Sequence, residues 1–180
     1  GIIREYFKGL PGQLHERPWK NFGFNRTEAL QLAVSGGLPD ADYLLFIDAD
    51  EQLKAAQDFV LPALTENAYY FPVTYGALRY RRNALVSTRL DWAWEGVLHE
   101  YLHSSQPHRW HTLEGLNIFV QHDGARAQNA DTYLKDIALL EQGLKDEPEN
   151  LRYVFYLAQS YRDAGMLEKS REFYLKRASA

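Results

Sequence analysis

The hydrophobic periodicity of this chain changes near Gly124, and that change restricts the folds that the chain can adopt. Before Gly124, short apolar runs alternate with turn residues and helical patches, which is typical of an α/β unit. After Gly124, apolar residues recur only at the spacing of an amphipathic helix. The sequence therefore predicts an α/β unit over residues 1–125, followed by a helical unit over residues 126–180.

The first unit carries several candidate helices and strands, each bounded by turn residues. A continuous apolar run of strand length predicts a strand that is buried on both faces at residues 43–47. Two longer apolar segments flank Gly76, as they do in a β-hairpin. The predicted helices are 3–10, as the end of a helix, and 25–34; the predicted strands are 13–17, 43–47, 69–75, 78–87 and 116–121.

The second unit is predicted to be entirely helical, with segments 129–146, 151–163 and 167–177. Within the last two segments, four residues lie at the offsets of a tetratricopeptide repeat, a helix-turn-helix of about 34 residues. They are Leu157, Ala158, Tyr161 and Gly165. Ser170 replaces the usual alanine of that repeat. The alternative is a plain helical hairpin that caps the α/β unit.

The composition excludes several classes of protein. The chain has no cysteine, so disulfides, thiolate nucleophiles and cysteine-based zinc sites are excluded. Its 20 basic residues against 24 acidic residues give a net charge of -4, which argues against nucleic acid as a partner. No apolar run approaches the roughly 20 residues that span a bilayer. The first residues do not resemble a signal peptide. We therefore expect a cytoplasmic protein without a transmembrane segment.

Two carboxylates one residue apart, Asp48 and Asp50, directly follow the apolar run 43–47, and Glu51 adjoins them. In open α/β sheets, ligands bind beyond the carboxyl ends of strands. Oxygen ligands at such a point suit Mg²⁺ or Mn²⁺, and side chains two apart on a strand share a face. The alternative is an acidic strand end that caps the next helix or meets water.

Four segments occur in the order 22–30 (FGFNRTEAL), 48–51 (DADE), 94–100 (WEGVLHE) and 121–124 (QHDG). In this order they resemble the glycosyltransferases of family 2, which have the GT-A fold. The acidic segment resembles their D-x-D element, and the helix before it and the acceptor-side segment after it also have counterparts. The resemblance implies a partial GT-A mixed sheet with flanking helices, followed by tetratricopeptide-like helices.

The resemblance implies transfer of a sugar from a nucleotide-diphosphate donor, such as a UDP- or GDP-sugar, with inversion and with Mn²⁺ or Mg²⁺. It assigns Asp48 to the donor ribose or the metal shell, and Arg26 to the donor nucleotide or its phosphates. It assigns Asp50 and His122 to the metal. The acceptor is a glycan, a lipid or a protein, and the tetratricopeptide-like helices are a possible surface for a protein partner.

Inverting transfer needs a general base for the acceptor hydroxyl. The resemblance makes Glu100 the first candidate, with His99 and Glu95 behind it. Trp94 and Glu95 are candidates for acceptor binding, Trp94 by stacking on a sugar face. In members of the family, the amino-terminal half of the domain supplies the nucleotide-base pocket. No counterpart of that half precedes Gly1 in this sequence. We therefore expect that the chain is part of a longer domain or that a second copy completes its sheet.

A rival motif overlaps this segment, because residues 99–103 read H-E-x-x-H, the spacing of zinc hydrolases. On a helix, His99 and His103 would share one face and bind zinc while Glu100 activates water. Residues 104–107 end that helix early, and a third ligand is not obvious. A further alternative is a non-catalytic interaction module that carries the helical repeat.

One basic cluster with an interleaved aromatic residue occupies residues 79–83 (RYRRN). Arginines on an exposed edge strand discourage pairing with other strands, and this is one interpretation of the cluster. The other is contact with a phosphate or an acidic glycan.

Overall fold

The computed structural model describes residues 1–10, 13–37, 41–121 and 131–180. The helices are α1 (Ile2–Tyr6), α2 (Phe22–Leu32), α3 (Thr132–Asp146), α4 (Leu151–Asp163) and α5 (Leu167–Ala178). The strands are β1 (Tyr43–Leu45), β2 (Glu51–Ala55), β3 (Ala68–Tyr75), β4 (Leu78–Ser87), β5 (Ala93–Glu95), β6 (Tyr101–His103), β7 (Trp110–Thr112) and β8 (Leu116–Val120). A π-helical turn at Ala33–Gly37 follows α2.

The main sheet is mixed, with the strand order β1-β4-β3-β8-β2. The hairpin of β3 and β4 is antiparallel, and β7 and β8 run parallel to β3 along its other side. The predicted hairpin about Gly76 is confirmed, and Gly76 adopts the left-handed conformation (φ 57°) that a tight turn of this kind needs. The chain therefore belongs to the α/β class with a mixed sheet, whereas its assignment to the GT-A fold stays a prediction.

The core of the main sheet forms on alternate residues of β3, as the two-residue period of a strand requires. Tyr69, Phe71 and Val73 pack on one face with Ile118 of β8. A second cluster, on the side of α2, contains Leu30, Leu44 and Trp92, with three further buried residues at Ala68, Val86 and Leu102. The second cluster places α2 against the end of the sheet that carries β1.

A separate two-stranded hairpin, formed by β5 and β6, packs next to α2. Trp94 pairs with Leu102 and Glu95 with Tyr101, so that residues 96–100 form its loop. Two residues of this loop have positive φ angles, Gly96 at 105° and His99 at 52°. Throughout, residues 96–100 are called the hairpin loop.

The helical unit packs on the hairpin loop and not only on itself. A third cluster joins Leu98 of the loop to Leu140 of α3 and to Leu157 of α4. Ala158 and Ser170 are buried, and such small residues allow helices to approach closely. Helices α4 and α5 match the predicted segments, but a tetratricopeptide repeat stays a prediction. The predicted boundary near residue 125 lies outside the described residues.

Several sequence-based predictions about the first unit are wrong. Residues 13–17 form no strand, and the helix predicted at 25–34 begins earlier, because Asn21 caps Phe22–Leu32 by accepting the Phe24 amide hydrogen bond. The helix at the start ends at Tyr6. Strand β1 is shorter than predicted and is not buried on both faces, since Leu45 and Ile47 are exposed. In the described part of the chain β1 pairs with β4 alone.

The segment 99–103 is not helical. His103 ends strand β6, and His99 lies in the hairpin loop with a left-handed backbone. The i, i+4 relation that would place two imidazoles on one helix face is therefore absent, and the helix predicted for the zinc motif is wrong. Among the described helices, none is long and apolar enough to cross a bilayer.

Candidate functional site

Four of the predicted site residues line one cavity of about 280 Å³ at the carboxyl end of β1. They are Arg26, Asp48, Trp94 and Glu100. The cavity is also lined by residues of β4 and of the β5–β6 hairpin that had no firm assignment: Arg81, Arg82, Asn83, Tyr101 and Leu102, with Phe46 at its base. Helix α2, strand β4, the β5–β6 hairpin with its loop, and the segment after β1 thus converge on the same volume.

Arg26 of α2 joins the two acidic residues of this cavity. Its Nη2 lies 2.5 Å from Oδ1 of Asp48, and its Nε lies 2.8 Å from Oε1 of Glu100. The Glu100 side chain is 12% exposed, so its carboxylate is largely removed from bulk water. A buried carboxylate that retains its charge needs such a partner, and the guanidinium supplies it in a charge-assisted hydrogen bond.

A second ion pair lies beside the first, between Arg82 of β4 and Glu51 of β2. Both guanidinium nitrogens contact the carboxylate, Nη1 at 2.5 Å from Oε1 and Nη2 at 2.6 Å from Oε2. Burial would lower the pKa of Arg82, but its hydrogen bonds to Glu51 and the nearby Asp48 carboxylate outweigh burial and raise that pKa above its usual value. Arg82 therefore carries a permanent positive charge at the cavity wall.

Asp48 and Glu51 are linked through a turn and not through a shared strand face. The amide of Glu51 donates to the Asp48 carbonyl (3.0 Å), and the amide of Asp48 donates to Glu51 Oε2 (2.9 Å). Because β1 ends at Leu45, the alternation that would align Asp48 with Asp50 does not extend to them. The neighbours of the Asp48 carboxylate are Arg26 and, at 3.5 Å, Arg82.

The described residues do not form an assembled metal site of the kind that the sequence predicts. No group of three or more His, Asp or Glu side chains lies close enough there to hold an ion. His122, the predicted second ligand beside Asp50, lies outside the described residues. Asp50 itself is half-buried, and its carbonyl accepts a hydrogen bond from Gln121.

Helix α2 and the hairpin loop are held together by backbone contacts. The amide of Gly23 donates to the Gly96 carbonyl (3.1 Å), and that of Phe22 donates to the Val97 carbonyl (3.3 Å). One turn later, Thr27 Oγ1 accepts from the Trp94 amide at 2.7 Å. These contacts bring the first turns of α2 to the loop, which places Arg26 opposite Glu100.

Trp94 forms part of the cavity wall through its ring. The Arg26 guanidinium lies 4.9 Å from the ring centroid, and Phe46 packs against the ring edge to face at 5.2 Å. The indole Nε1 of Trp94 is buried and, within the described residues, has no hydrogen-bond partner. Because one face of the ring is occupied by Arg26, stacking of a sugar on Trp94 would need the other face.

The remaining predicted residues lie elsewhere. The His99 ring stacks on Tyr156 of α4 at 4.0 Å and does not line the Arg26 cavity. Glu95 accepts a hydrogen bond from the Tyr101 hydroxyl (2.5 Å), which raises the Tyr101 pKa. Glu95 lines a neighbouring cavity of about 330 Å³, between the hairpin and the start of α4.

Sequence reasoning had no role for the pair of Glu51 and Arg82. Glu51 was noted only as a neighbour of the two aspartates, and Arg82 only as part of the basic cluster at 79–83. The signal for Arg82 in the sequence is the basic cluster itself, for which contact with a phosphate is one of two interpretations. The structure brings Arg81, Arg82 and Asn83 to the cavity wall.

Comparison with known proteins adds no assignment to this geometry. No protein-family model matches the sequence, and no curated protein is significantly similar to it. A functional interpretation therefore depends on the side chains of the cavity.

Proposed function

We propose that this chain carries a catalytic cavity of a glycosyltransferase that moves a sugar from a nucleotide-diphosphate donor to an acceptor hydroxyl. One observation carries the proposal: Glu100, Arg26 and Asp48 meet in a single cavity that Arg81 and Arg82 border. A carboxylate shielded from water can accept the proton of an acceptor hydroxyl. Guanidinium groups beside it can stabilise the negative charge of a departing diphosphate. The sequence resemblance to family 2 glycosyltransferases points to the same reaction.

In this proposal Glu100 is the general base. Its carboxylate accepts the proton of an acceptor hydroxyl as that oxygen forms a bond to the anomeric carbon of the donor sugar. The bond between the anomeric carbon and the phosphate oxygen breaks, and its electron pair leaves with the nucleoside diphosphate. The low exposure of Glu100 limits competition from bulk water for its carboxylate. Attack from the face opposite the leaving group inverts the anomeric centre.

The arginines of the cavity wall stabilise the departing diphosphate. Guanidinium groups bind phosphate through parallel hydrogen bonds, so Arg26 suits the donor phosphates once it exchanges its bond to Asp48. Arg81 and Arg82 border the same cavity. Asp48, released from Arg26, accepts hydrogen bonds from donor hydroxyls such as those of a ribose.

The described residues around Asp48 do not fit a metal ion. Both carboxylate oxygens of Asp48 contact arginines, and no group of three or more acidic or imidazole side chains that could hold an ion forms in the part of the chain that the structure describes. Binding of Mn²⁺ or Mg²⁺ by Asp50 and His122 stays a separate prediction, for which nucleotide titrations with and without the metal are the test.

A screen for nucleotide release tests the proposal. The protein is incubated with UDP- and GDP-sugars and with glycan, lipid and peptide acceptors, and free UDP or GDP is measured. We expect release with at least one pair, and we expect Glu100→Gln to lower the rate by about 10²- to 10⁴-fold, the range of general-base catalysis. Glu114→Gln, a change at an exposed carboxylate on another turn, is the control and keeps the wild-type rate.

Two results would contradict the proposal. Equal rates in wild type and Glu100→Gln would remove Glu100 as the base. Absence of release with every donor and acceptor, in a protein that is folded, would favour the alternative of a non-catalytic module.

A further inference from the structure

We infer that Arg152 and Tyr156 of helix α4 are positioning residues for Glu100, acting through the backbone of His99. This inference rests on the proposed function for the role of Glu100, but the contacts that carry it are independent of that function. The hairpin loop lies between α2 and α4, and both helices contact it directly. Glu100 is the last residue of that loop before β6 begins.

His99 is the residue of the loop that most needs support. Its φ of 52° lies in the left-handed region, which residues other than glycine rarely adopt. Such a conformation persists where surrounding contacts determine it more strongly than local preference. Because His99 directly precedes Glu100, its backbone angles set the direction in which the Glu100 side chain leaves the loop.

Two contacts from α4 hold His99 in this conformation. Arg152 Nη2 donates a hydrogen bond of 2.7 Å to the His99 carbonyl, and the Tyr156 ring stacks on the imidazole with an interplanar angle of 21°. One contact fixes the backbone of the residue, and the other fixes its side chain. Both come from the first two turns of the same helix.

The guanidinium of Arg152 is itself fixed by aromatic rings. It lies 4.9 Å from the ring centroid of Tyr101, the residue after Glu100, and 4.9 Å from that of Tyr156. These two cation–π contacts restrict the rotamers of an otherwise exposed side chain. Arg152 thus connects the residue before Glu100, the residue after it and the helix.

Buried contacts next to these keep α4 at the right distance from the loop. The Val97 amide donates to the Tyr153 hydroxyl (3.1 Å), and Leu98 is buried against the helices. Gly143 of α3 lies close enough to Val97 that an added Cβ would be 3.0 Å from its Cγ2. These buried contacts fix the distance between the loop and the helices. The more exposed contacts of Arg152 and Tyr156 therefore determine the backbone orientation of the loop at Glu100.

Hydrogen exchange measures this coupling without any substrate. In Arg152→Met and Tyr156→Leu, we expect the amides of residues 97–101 to exchange about tenfold faster than in wild type, as the loss of one hydrogen bond or ring contact implies. Tyr156→Phe keeps the ring and should exchange like wild type. Arg171→Met, at an exposed arginine of α5, is the matched control and should also be unchanged.

Turnover then separates positioning from general loosening. In Arg152→Met and Tyr156→Leu we expect kcat to fall about tenfold while KM for the donor is unchanged, because only the base is misplaced. Tyr156→Phe should restore the wild-type kcat. Wild-type exchange rates at residues 97–101 in both variants would overturn the inference. Faster exchange there with an unchanged kcat would also overturn it, and so would a tenfold increase in exchange rate throughout α4.

The two claims fail in different ways. If wild type transfers no sugar, the proposed function fails, and the exchange rates alone decide whether α4 holds the loop. If wild type is active and exchange at 97–101 is unaffected by both variants, the proposed function stands and the role of α4 is refuted.

Discussion

The amide of Gly23 in helix α2 donates a hydrogen bond to the carbonyl of Gly96 in the hairpin loop, at 3.1 Å. No side chain fits between them, because a Cβ built on Gly23 would lie 2.4 Å from that carbonyl oxygen. This close approach joins the helix that carries Arg26 to the loop that carries Glu100. The ion pair at the centre of the cavity therefore depends on a residue that bears no functional group.

Replacement of Gly23 by alanine should destabilise the fold and separate the two halves of the site. The added methyl group meets backbone atoms, which cannot rotate away, so we expect a loss of about 1–3 kcal/mol, the range for overpacked cores. Urea unfolding measures this loss. Gly36→Ala, at a helical glycine with open space around its Cβ position, should be neutral or slightly stabilising. Equal stability of both variants would contradict the account.

Glu51→Gln tests the second ion pair of the site. The Glu51 side chain is 3% exposed, and the change leaves the Arg82 guanidinium without its bidentate partner. Breaking a buried ion pair costs roughly 3–5 kcal/mol, and we expect a value near the lower end because Arg82 is partly exposed.

A double-mutant cycle distinguishes the pair from the separate residues. Glu51→Gln combined with Arg82→Met should cost less than the sum of the two single changes, since the second change removes the charge that the first left unpaired. Arg79→Met, at an exposed arginine on the same strand, should alter stability by no more than about 0.5 kcal/mol. Additive effects of the two cavity changes would show that the pair is not coupled.

The left-handed backbone of His99 predicts an unusual order of stability. His99→Gly and His99→Ala both lose the stack on Tyr156, but only alanine keeps the cost of a positive φ. The glycine variant should therefore be more stable by about 1 kcal/mol. At Arg171, inside α5, the order should reverse, because glycine costs about 1 kcal/mol relative to alanine in a helix. The same order at both positions would refute the conformation of His99.

Acid titration should reveal the contacts that close the other end of the hairpin. Asp91 accepts hydrogen bonds from the hydroxyls of Ser104 (2.5 Å) and Ser105, which lower the Asp91 pKa to about 2 from its ordinary 3.8. Because the folded pKa is the lower one, this stabilisation is present above pH 3.8 and disappears as the pH falls toward 2.

Comparison of wild type with Asp91→Asn isolates this contribution, because asparagine does not titrate. The difference in unfolding midpoint between the two proteins should be constant from pH 7 to about 5 and should shrink as the pH falls toward about 3. A difference that is unchanged across this range, or that grows at low pH, would contradict the assignment.

Local patterns predicted the carboxy-terminal helices and the long hairpin well, because their signals lie within the segments themselves. The helix break at Ala164 and Gly165 and the strands around Gly76 are examples. The short strands β2, β5, β6 and β7 were missed, since each lacks the run of apolar residues that marks the equally short β1 and β8. The segment 13–17, predicted as a strand, pairs with no neighbouring strand among the described residues.

The site was predicted in part, and the difference has a physical reason. Arg26, Asp48, Trp94 and Glu100 were chosen through motif order, and the structure brings them together. The pairing of Asp48 with two arginines depends on where β1 ends and on the turn to Glu51, which motif spacing does not encode. The place of His99 against Tyr156 depends on a tertiary contact between residues 57 positions apart, beyond the reach of any local pattern.

Binding of a nucleoside diphosphate tests the central claim most directly. Calorimetric titration of wild type with UDP and with GDP, with and without Mn²⁺, should give saturable binding of at least one of them. Arg26→Gln should weaken that binding by at least about tenfold, the equivalent of 1.4 kcal/mol for one lost charge-assisted contact, while Arg171→Gln keeps the wild-type affinity. Absence of binding to either nucleotide, or equal affinity in wild type and Arg26→Gln, would contradict a donor site at this cavity.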